Sequence, residues 1–300
     1  MKKILILCLI LFTFGKIFAQ DDAQFTQFYA NRLYYNPAAT GASDKFLASA
    51  TYRSQWAGSP TLSKEARPSY ILFGATQFFG DKRSGVGLNI YNASQHVQNA
   101  LQVKASYAYH LQVQDEAWLS MGINVGMLNR SIRNGLSADG QLINESHTMS
   151  DLGLGVEYYT PELIVGVSCQ HIPAVIGDNE ERKHAHFYYY ATYIYTINEE
   201  WKVVPSVLLR NSSFITNVDA TVRVSYLNMF QFGVSWRRDA MAFLIGFNIE
   251  DTYSIGYSFD LHTGTMTGAR PSHEIVLGYR TQIINVQDTR LQRMAASRDF

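Results

Sequence analysis

Three histidines are the first residues whose grouping suggests chemistry. "KHAH" (Lys183–His186) sets His184 and His186 two apart, and His171 closes the preceding apolar segment. On a strand, residues two apart share a face, and clustered imidazoles suit a zinc-type site. The parities disagree, however. His171 runs in phase with Val165, Val167 and Cys169, while His184 and His186 oppose Phe187 and Tyr189. Only a bulge would bring all three together; without one they line a loop mouth. No Gly-x-Ser-x-Gly, His-Glu-x-x-His or P-loop is present. The sequence therefore predicts no catalytic residue, no cofactor and no resident metal. Scattered Ser, His and Asp that meet only in space, as in barrel hydrolases, are the enzymatic alternative.

A second group is aromatic and amide. "DDAQFTQFYANRLYYNPAATGAS" (Asp21–Ser43) has neither a helical nor a strand period. Its Gln24, Phe25, Gln27, Phe28, Asn31, Tyr34, Tyr35, Asn36 and Pro37 are the candidate partner-binding or plug residues. Aromatic rings bury large area with little rotamer entropy, and amides donate and accept at once. Asn36-Pro37 and Gly41 would make the turn into the first strand. The plainer alternative is a passive strap whose amides satisfy backbone groups. In "HFYYYATYIY" (His186–Tyr195), Tyr189, Tyr193 and Tyr195 share one parity and suit an interfacial belt. Tyr188 and Tyr190 take the other. Arg53, Lys104, Arg210, Arg223 and Arg237, with Glu157, Glu250 and Asp260, fall on a common polar face. They are expected to pair with one another, with electrostatic steering of a solute left open.

The elements that would position these groups read as strands behind a leader. Lys2 and Lys3 precede an apolar run, Ile4–Phe14, too short to span a membrane, and a small residue ends "GKIFA". This predicts a signal peptide over 1–19, cleaved after Ala19. Cys8 lies inside the apolar run, which argues against a lipoprotein. Loss of Lys2, Lys3 and Lys16 takes the 25 basic residues to 22, against 25 acidic, so nucleic acid is not the expected partner. Cys169 is then the one thiol, and no intramolecular disulfide is expected. Beyond the leader no apolar run is long enough for a membrane helix. Yet 19 Tyr and 17 Phe accompany only 17% charge, which suits a barrel whose outer face meets lipid.

Period two recurs along the chain. In "ALQVKASYAYHLQVQ" (Ala100–Gln114), Leu101, Val103, Ala105, Tyr107, Tyr109, Leu111 and Val113 alternate with mostly polar partners. Such runs predict about 14 strands. The first seven are Phe46–Trp56, Ser69–Phe79, Ser84–Ala93, Ala100–Val113, Glu116–Arg130, Met149–Thr160 and Glu162–Ile172. The rest are Ala185–Ile197, Trp201–Arg210, Asp219–Tyr226, Met229–Arg237, Met241–Ile249, Thr252–Asp260 and Ser272–Gln282. Connections after even strands are short ("GDKR", "QDE", "TPE", "NEE", "LN", "ED"). Several after odd strands are long: Ala57–Pro68, Ser131–Thr148, Pro173–His184, Asn211–Val218 and Leu261–Pro271. That parity is the build of an outer-membrane barrel with its short turns periplasmic. A β-sandwich, the alternative, would not predict it. Pro205 falls inside a strand and predicts a bulge or a shifted boundary. The expected fold is thus an all-β transmembrane antiparallel barrel with both termini periplasmic. The expected divisions are 20–45 as a periplasmic strap or plug, 46–282 as the barrel and 283–300 as a mobile periplasmic tail.

"DAQFTQFYANRLYYNPAATGA", with "YRSQWAGSP" and "SHEIVLGYR", resembles the PorP/SprF family of the Bacteroidetes type IX secretion system. The residues carrying the likeness are Asp22, Gln24, Phe25, Thr26, Gln27 and Phe28; Asn36, Pro37, Ala38 and Gly41; and Tyr52, Arg53, Gln55 and Trp56. Ala23 stands where Pro is common in the family. The chain also runs 20 residues past Arg280. The resemblance implies a non-enzymatic outer-membrane component for export or surface retention of large, often adhesin-like proteins, and implies a link to gliding motility. It implies as partners the C-terminal signal domain of such an exported protein and periplasmic or peptidoglycan-associated secretion components. Outer-membrane lipid is the remaining expected contact. A diffusion channel or small-solute transporter of the same architecture is the alternative.

Overall fold

A computed structural model describes residues 22–43, 45–59, 63, 66–79, 83–136, 141–173, 185–212, 215–264 and 270–281. The predicted leader, its cleavage site, Lys183, His184 and the 283–300 tail lie outside the described residues.

The described residues form a closed antiparallel barrel of 14 strands. These are β1 (Phe46–Ser54), β2 (Ser69–Phe79), β3 (Ser84–Gln95), β4 (Gln98–Gln114), β5 (Ala117–Leu136), β6 (Leu142–Tyr159) and β7 (Leu163–Pro173). Next come β8, in two pieces (His186–Tyr193 and Tyr195–Thr196), β9 (Trp201–Asn211), β10 (Thr216–Tyr226) and β11 (Phe230–Arg237). β12 (Ala240–Ile249), β13 (Tyr253–His262) and β14 (Ser272–Thr281) complete the wall. Each strand pairs with its chain neighbours, and β14 closes on β1 with Leu277 opposite Ala50.

Burial is inverted relative to a water-soluble domain. Leu101, Val103, Tyr107, Tyr109 and Leu111 are exposed, while Gln102, Lys104, Ser106, Ala108 and His110 of the same strand are buried. The same holds for Met121, Ile123, Val125 and Met127 against Ser120 and Asn124. Alternation sends one set outward, where only an apolar solvent makes its exposure favourable, and the other into a polar lumen.

Two turns on the short-turn rim are tight hairpins. Leu227-Asn228 and Glu250-Asp251 both have two successive residues with φ between 49° and 55°, the conformation that matches the twist of the flanking strands. Glu250 is therefore an exposed turn residue and not a lumen charge. The predicted loop Ser131–Thr148 is corrected as well. Ser131–Leu136 and Leu142–Thr148 continue β5 and β6 as a projecting hairpin, with Ser131 opposite Ser146 and Gly135 opposite Ile143. Both of its faces meet water, so its sequence carries no apolar alternation. Pro205 causes no bulge in its own strand: β9 and β10 stay in register through Pro205 and Val222. The gap falls instead on the neighbour, where β8 is interrupted at Ile194. A proline has no N–H to offer across that seam.

Candidate functional site

Asp22–Ser43 fills the lumen. Its first described residues lie against the long-loop ends of β7, β8, β13 and β14, and its last against the short-turn ends of β3, β4 and β5. The sequence predicts the whole of 20–45 at the short-turn end; in the structure only its last residues, Pro37–Gly41, lie there, while Thr26 and Gln27 reach Asp260 and Glu274 at the long-loop end. It folds as three single turns, Phe28–Asn31, Arg32–Tyr35 and Pro37–Ala39. Asn36 caps the last turn, its side chain accepting from the Ala38 N–H at 2.9 Å.

At the long-loop end the wall supplies charge. The Glu274 carboxylate accepts the backbone N–H groups of Thr26 and Gln27, both at 2.8 Å. The Thr26 hydroxyl donates to Asp260 and accepts from Arg53 at 3.1 Å and Arg237 at 2.9 Å. Arg53 in turn bridges Asp260 (2.7 Å) and Glu274 (3.2 Å). Arg237 reaches Asp260 and Asp219, and Arg210 pairs with Asp219 at 3.0 Å. All these side chains are buried, so each needs its partners.

In the middle, rings dominate. Phe25, fully buried, meets Tyr34 edge-on at 5.7 Å and packs on wall residues Tyr70 and Tyr91 at 6.4 Å. Tyr35 contacts Phe28 and Tyr188. Burial pushes the phenols of Tyr34 and Tyr35 up; nearby Asp22 adds to this at Tyr34, and Arg210 opposes it at Tyr35. Burial also raises Tyr29, offset by the Arg223 guanidinium 3.5 Å from its ring centre. Asn31 donates to Thr51 at 2.7 Å and accepts from Ser49 at 2.6 Å. Arg32 pairs with Glu157 at 3.2 Å. Beside Asn31 and Arg32 a cavity of about 160 Å³ remains, bordered by Ser49, Thr76, Asn248 and Arg280.

At the short-turn end the plug lies close against the wall and wall side chains hold its backbone carbonyls. The Asn36 amide donates to the Val156 carbonyl and Tyr190 hydroxyl, both at 3.1 Å. Ser120 donates to the Ala38 carbonyl at 2.6 Å. His110 Nε2–H donates to the Thr40 carbonyl at 2.8 Å, which leaves Nδ1 to accept from Tyr159 at 3.0 Å. Close approach needs bare wall positions: a Cβ at Gly122 would strike Pro37 and Ala38, one at Gly155 would strike Asn36, and one at Gly85 would strike Thr40 and Gly41. Gly41 itself has φ +67°.

The histidines end in a different place from the parity expectation. The β6–β7 register shifts between Leu152 and Leu154, and His171 has φ +57°. This bulge turns His171 into the lumen beside His186. Asp22 Oδ2 lies 2.9 Å from His171 Nε2 and 2.9 Å from His186 Nδ1, and also accepts from the Tyr188 hydroxyl. His171 Nδ1 lies 2.7 Å from Asp151, which Lys104 approaches at 3.1 Å.

Eight of the nine candidate residues, all but Gln24, are buried in this plug. Gln24 is half-buried and makes no side-chain hydrogen bond among the described residues. Sequence reasoning missed Asp22, Arg32, Asp151, Asp219 and Glu274. Asp151 shares strand parity with Glu157, Asp219 with Arg223, and Glu274 alternates with the apolar Ile275 and Leu277, so the signal was present.

The family model for the type IX secretion system membrane protein PorP/SprF matches residues 17–279. A search of curated proteins finds no significant match. Among solved structures, the monoaromatic hydrocarbon channel CymD is similar in fold (TM-score 0.53, 11% identity, 87% of this chain and 94% of that one). So are the deltaS2S3 mutant of the monoaromatic hydrocarbon channel TodX (0.52, 11%, 84% and 94%) and the P. putida toluene transporter TodX (0.52, 10%, 85% and 95%). At such identity the likeness speaks to the fold alone. On the match over residues 17–279, this chain belongs to the PorP/SprF family of type IX secretion system membrane proteins.

Proposed function

We propose that this outer-membrane barrel is a non-enzymatic docking component, which supports export or surface retention of large secreted proteins by holding their C-terminal signal domain. The observation that carries this reading is the plug: the chain fills its own lumen and ties the filling to the wall at both ends. A lumen so occupied suits a partner platform better than a solute path. The projecting β5–β6 hairpin offers a surface for the partner. Its β6 residues before Asp151 pair only with β5 among the described residues, leaving a strand edge of the kind β-rich partners extend. Periplasmic secretion components are the partners proposed for the short-turn rim.

A diffusion channel is the second reading, favoured by the fold likeness to hydrocarbon channels. The cavity beside the plug, at about 160 Å³, falls below the roughly 300–1,000 Å³ of ordinary small-molecule sites. Co-purification from native outer membrane tests the docking reading. Wild type should retain an exported protein through its C-terminal domain, and a chain lacking Gln24–Asn31 should lose it. Equal yield from both would remove the plug from any role in capture, and no such protein from wild type would overturn the reading.

A further inference from the structure

We propose that Asp22, His171 and His186 form a binding site for one divalent transition-metal ion of the zinc type, which fastens the first residues of the plug to the barrel wall. The site is independent of which partner the barrel holds.

Geometry is the first support. One ligand atom from each residue lies within 4.8 Å of the other two, and all three residues are buried. Nitrogen and oxygen ligands sit about 2.0–2.2 Å from zinc, which sets tetrahedral neighbours roughly 3.3–3.5 Å apart. The observed 2.9 Å separations from Asp22 Oδ2 reach that spacing by small side-chain rotations. The Tyr188 hydroxyl, on the same carboxylate oxygen, stands beside the site as a further oxygen donor.

The second support is the His171 ring. A neutral imidazole carries one N–H and one lone pair. Both of its nitrogens face carboxylates, Asp151 at 2.7 Å and Asp22 at 2.9 Å. If Nδ1–H donates to Asp151, the Nε2 lone pair points at the Asp22 oxygen, and two acceptors confront each other. A cation between them resolves the conflict and completes a carboxylate–histidine–metal relay, a common outer-shell arrangement. Asp151 is itself oriented by the Gln102 amide at 2.6 Å and by Lys104.

The third is the backbone. The positive φ of His171 and the local bulge exist opposite Gly153, where a Cβ would strike Gln170 and Asn124. The bulge re-aims His171 from lipid to lumen. Two imidazoles with one carboxylate favour zinc-like ions over calcium or magnesium, which prefer all-oxygen sets.

Zinc alone is the probe. Untagged barrel, folded in detergent and stripped with chelator, is dialysed against zinc and its metal content measured. One zinc per folded chain is expected, and cobalt in its place should give the visible bands of a tetrahedral site. His186→Gln and Asp22→Asn should lose the bound zinc, whereas His147→Gln, on the projecting hairpin, should keep it. Asp151→Asn should weaken binding about 10–100-fold while retaining one ion. Heat-modifiable gel migration reports that each variant is a folded barrel. A wild-type barrel that retains no zinc overturns the site, whatever the variants do. So does zinc retention by folded His186→Gln and Asp22→Asn equal to wild type.

Discussion

Between Asp22 and Gln27 the plug meets the barrel through acidic and basic side chains: Glu274, Asp260, Arg53 and Arg237 converge on Thr26 and Gln27. Between Asn36 and Gly41 it meets the barrel closely, with backbone laid against Gly85 and Gly122 and the Asn36 side chain against Gly155. The first seat is a set of charges whose mutual compensation can be undone by removing one member. The second is a matter of shape and can be undone only by filling space. One end of the plug is therefore sensitive to the loss of a single charge, and the other to the loss of space where the chain turns into β1.

The largest effect should come from Arg53→Met, which strips Asp260 and Glu274 of their closest cation. Breaking a buried pair in this way costs about 3–5 kcal/mol. Thermal unfolding should shift accordingly, and limited proteolysis should cut near Thr26 while the Asn36–Gly41 seat stays protected. Cleavage at both ends at once would erase the distinction between the seats.

Gly122→Ala should come next, at about 1–3 kcal/mol for overpacking, because its new methyl meets plug backbone that cannot yield. Gly74→Ala is the matched control: a Cβ there finds only Ser49 and Asn89 side-chain atoms at 3.5 and 3.6 Å. Differential scanning calorimetry in detergent should separate the pair, and equal stability would argue against the close seat.

The smallest effect concerns pH. The phenols of Tyr29, Tyr34 and Tyr35 are raised by burial above their ordinary value of 10. Unfolded, they ionise near pH 10; plugged, they hold their protons. Their contribution is thus complete below pH 10 and falls as pH rises beyond it. Ultraviolet titration should show these three ionising later than surface tyrosines, and together with plug release. Ionisation near pH 10 with the plug in place would contradict the buried middle section.

Much of the wall was legible in the sequence because a strand's two-residue period is read directly from Leu101–Val113 or Met121–Met127. Glu274, Asp219 and Asp151 were equally accessible by parity. Three features were not. The β5–β6 extension has water on both faces and so no alternation to read. The His171 bulge breaks the period at a single residue, and a strict phase places that ring on the lipid side. The plug's partners are separated from it by up to 248 residues in the chain, and nothing local in "DAQFTQF" names Glu274 or Asp260 as the groups that hold it. Its composition announced a segment moulded to a surface; the surface itself exists only once the barrel has closed.

The lumen is occupied by the chain's own segment 22–43. Planar-bilayer conductance of the purified barrel tests it most directly, alongside the same barrel lacking Gln24–Asn31. Wild type should be silent, and the deletion, with every strand retained, should show steady channel currents. Steady large conductance from wild type, unchanged by the deletion, would contradict the plug and return the protein to the diffusion channels its fold resembles.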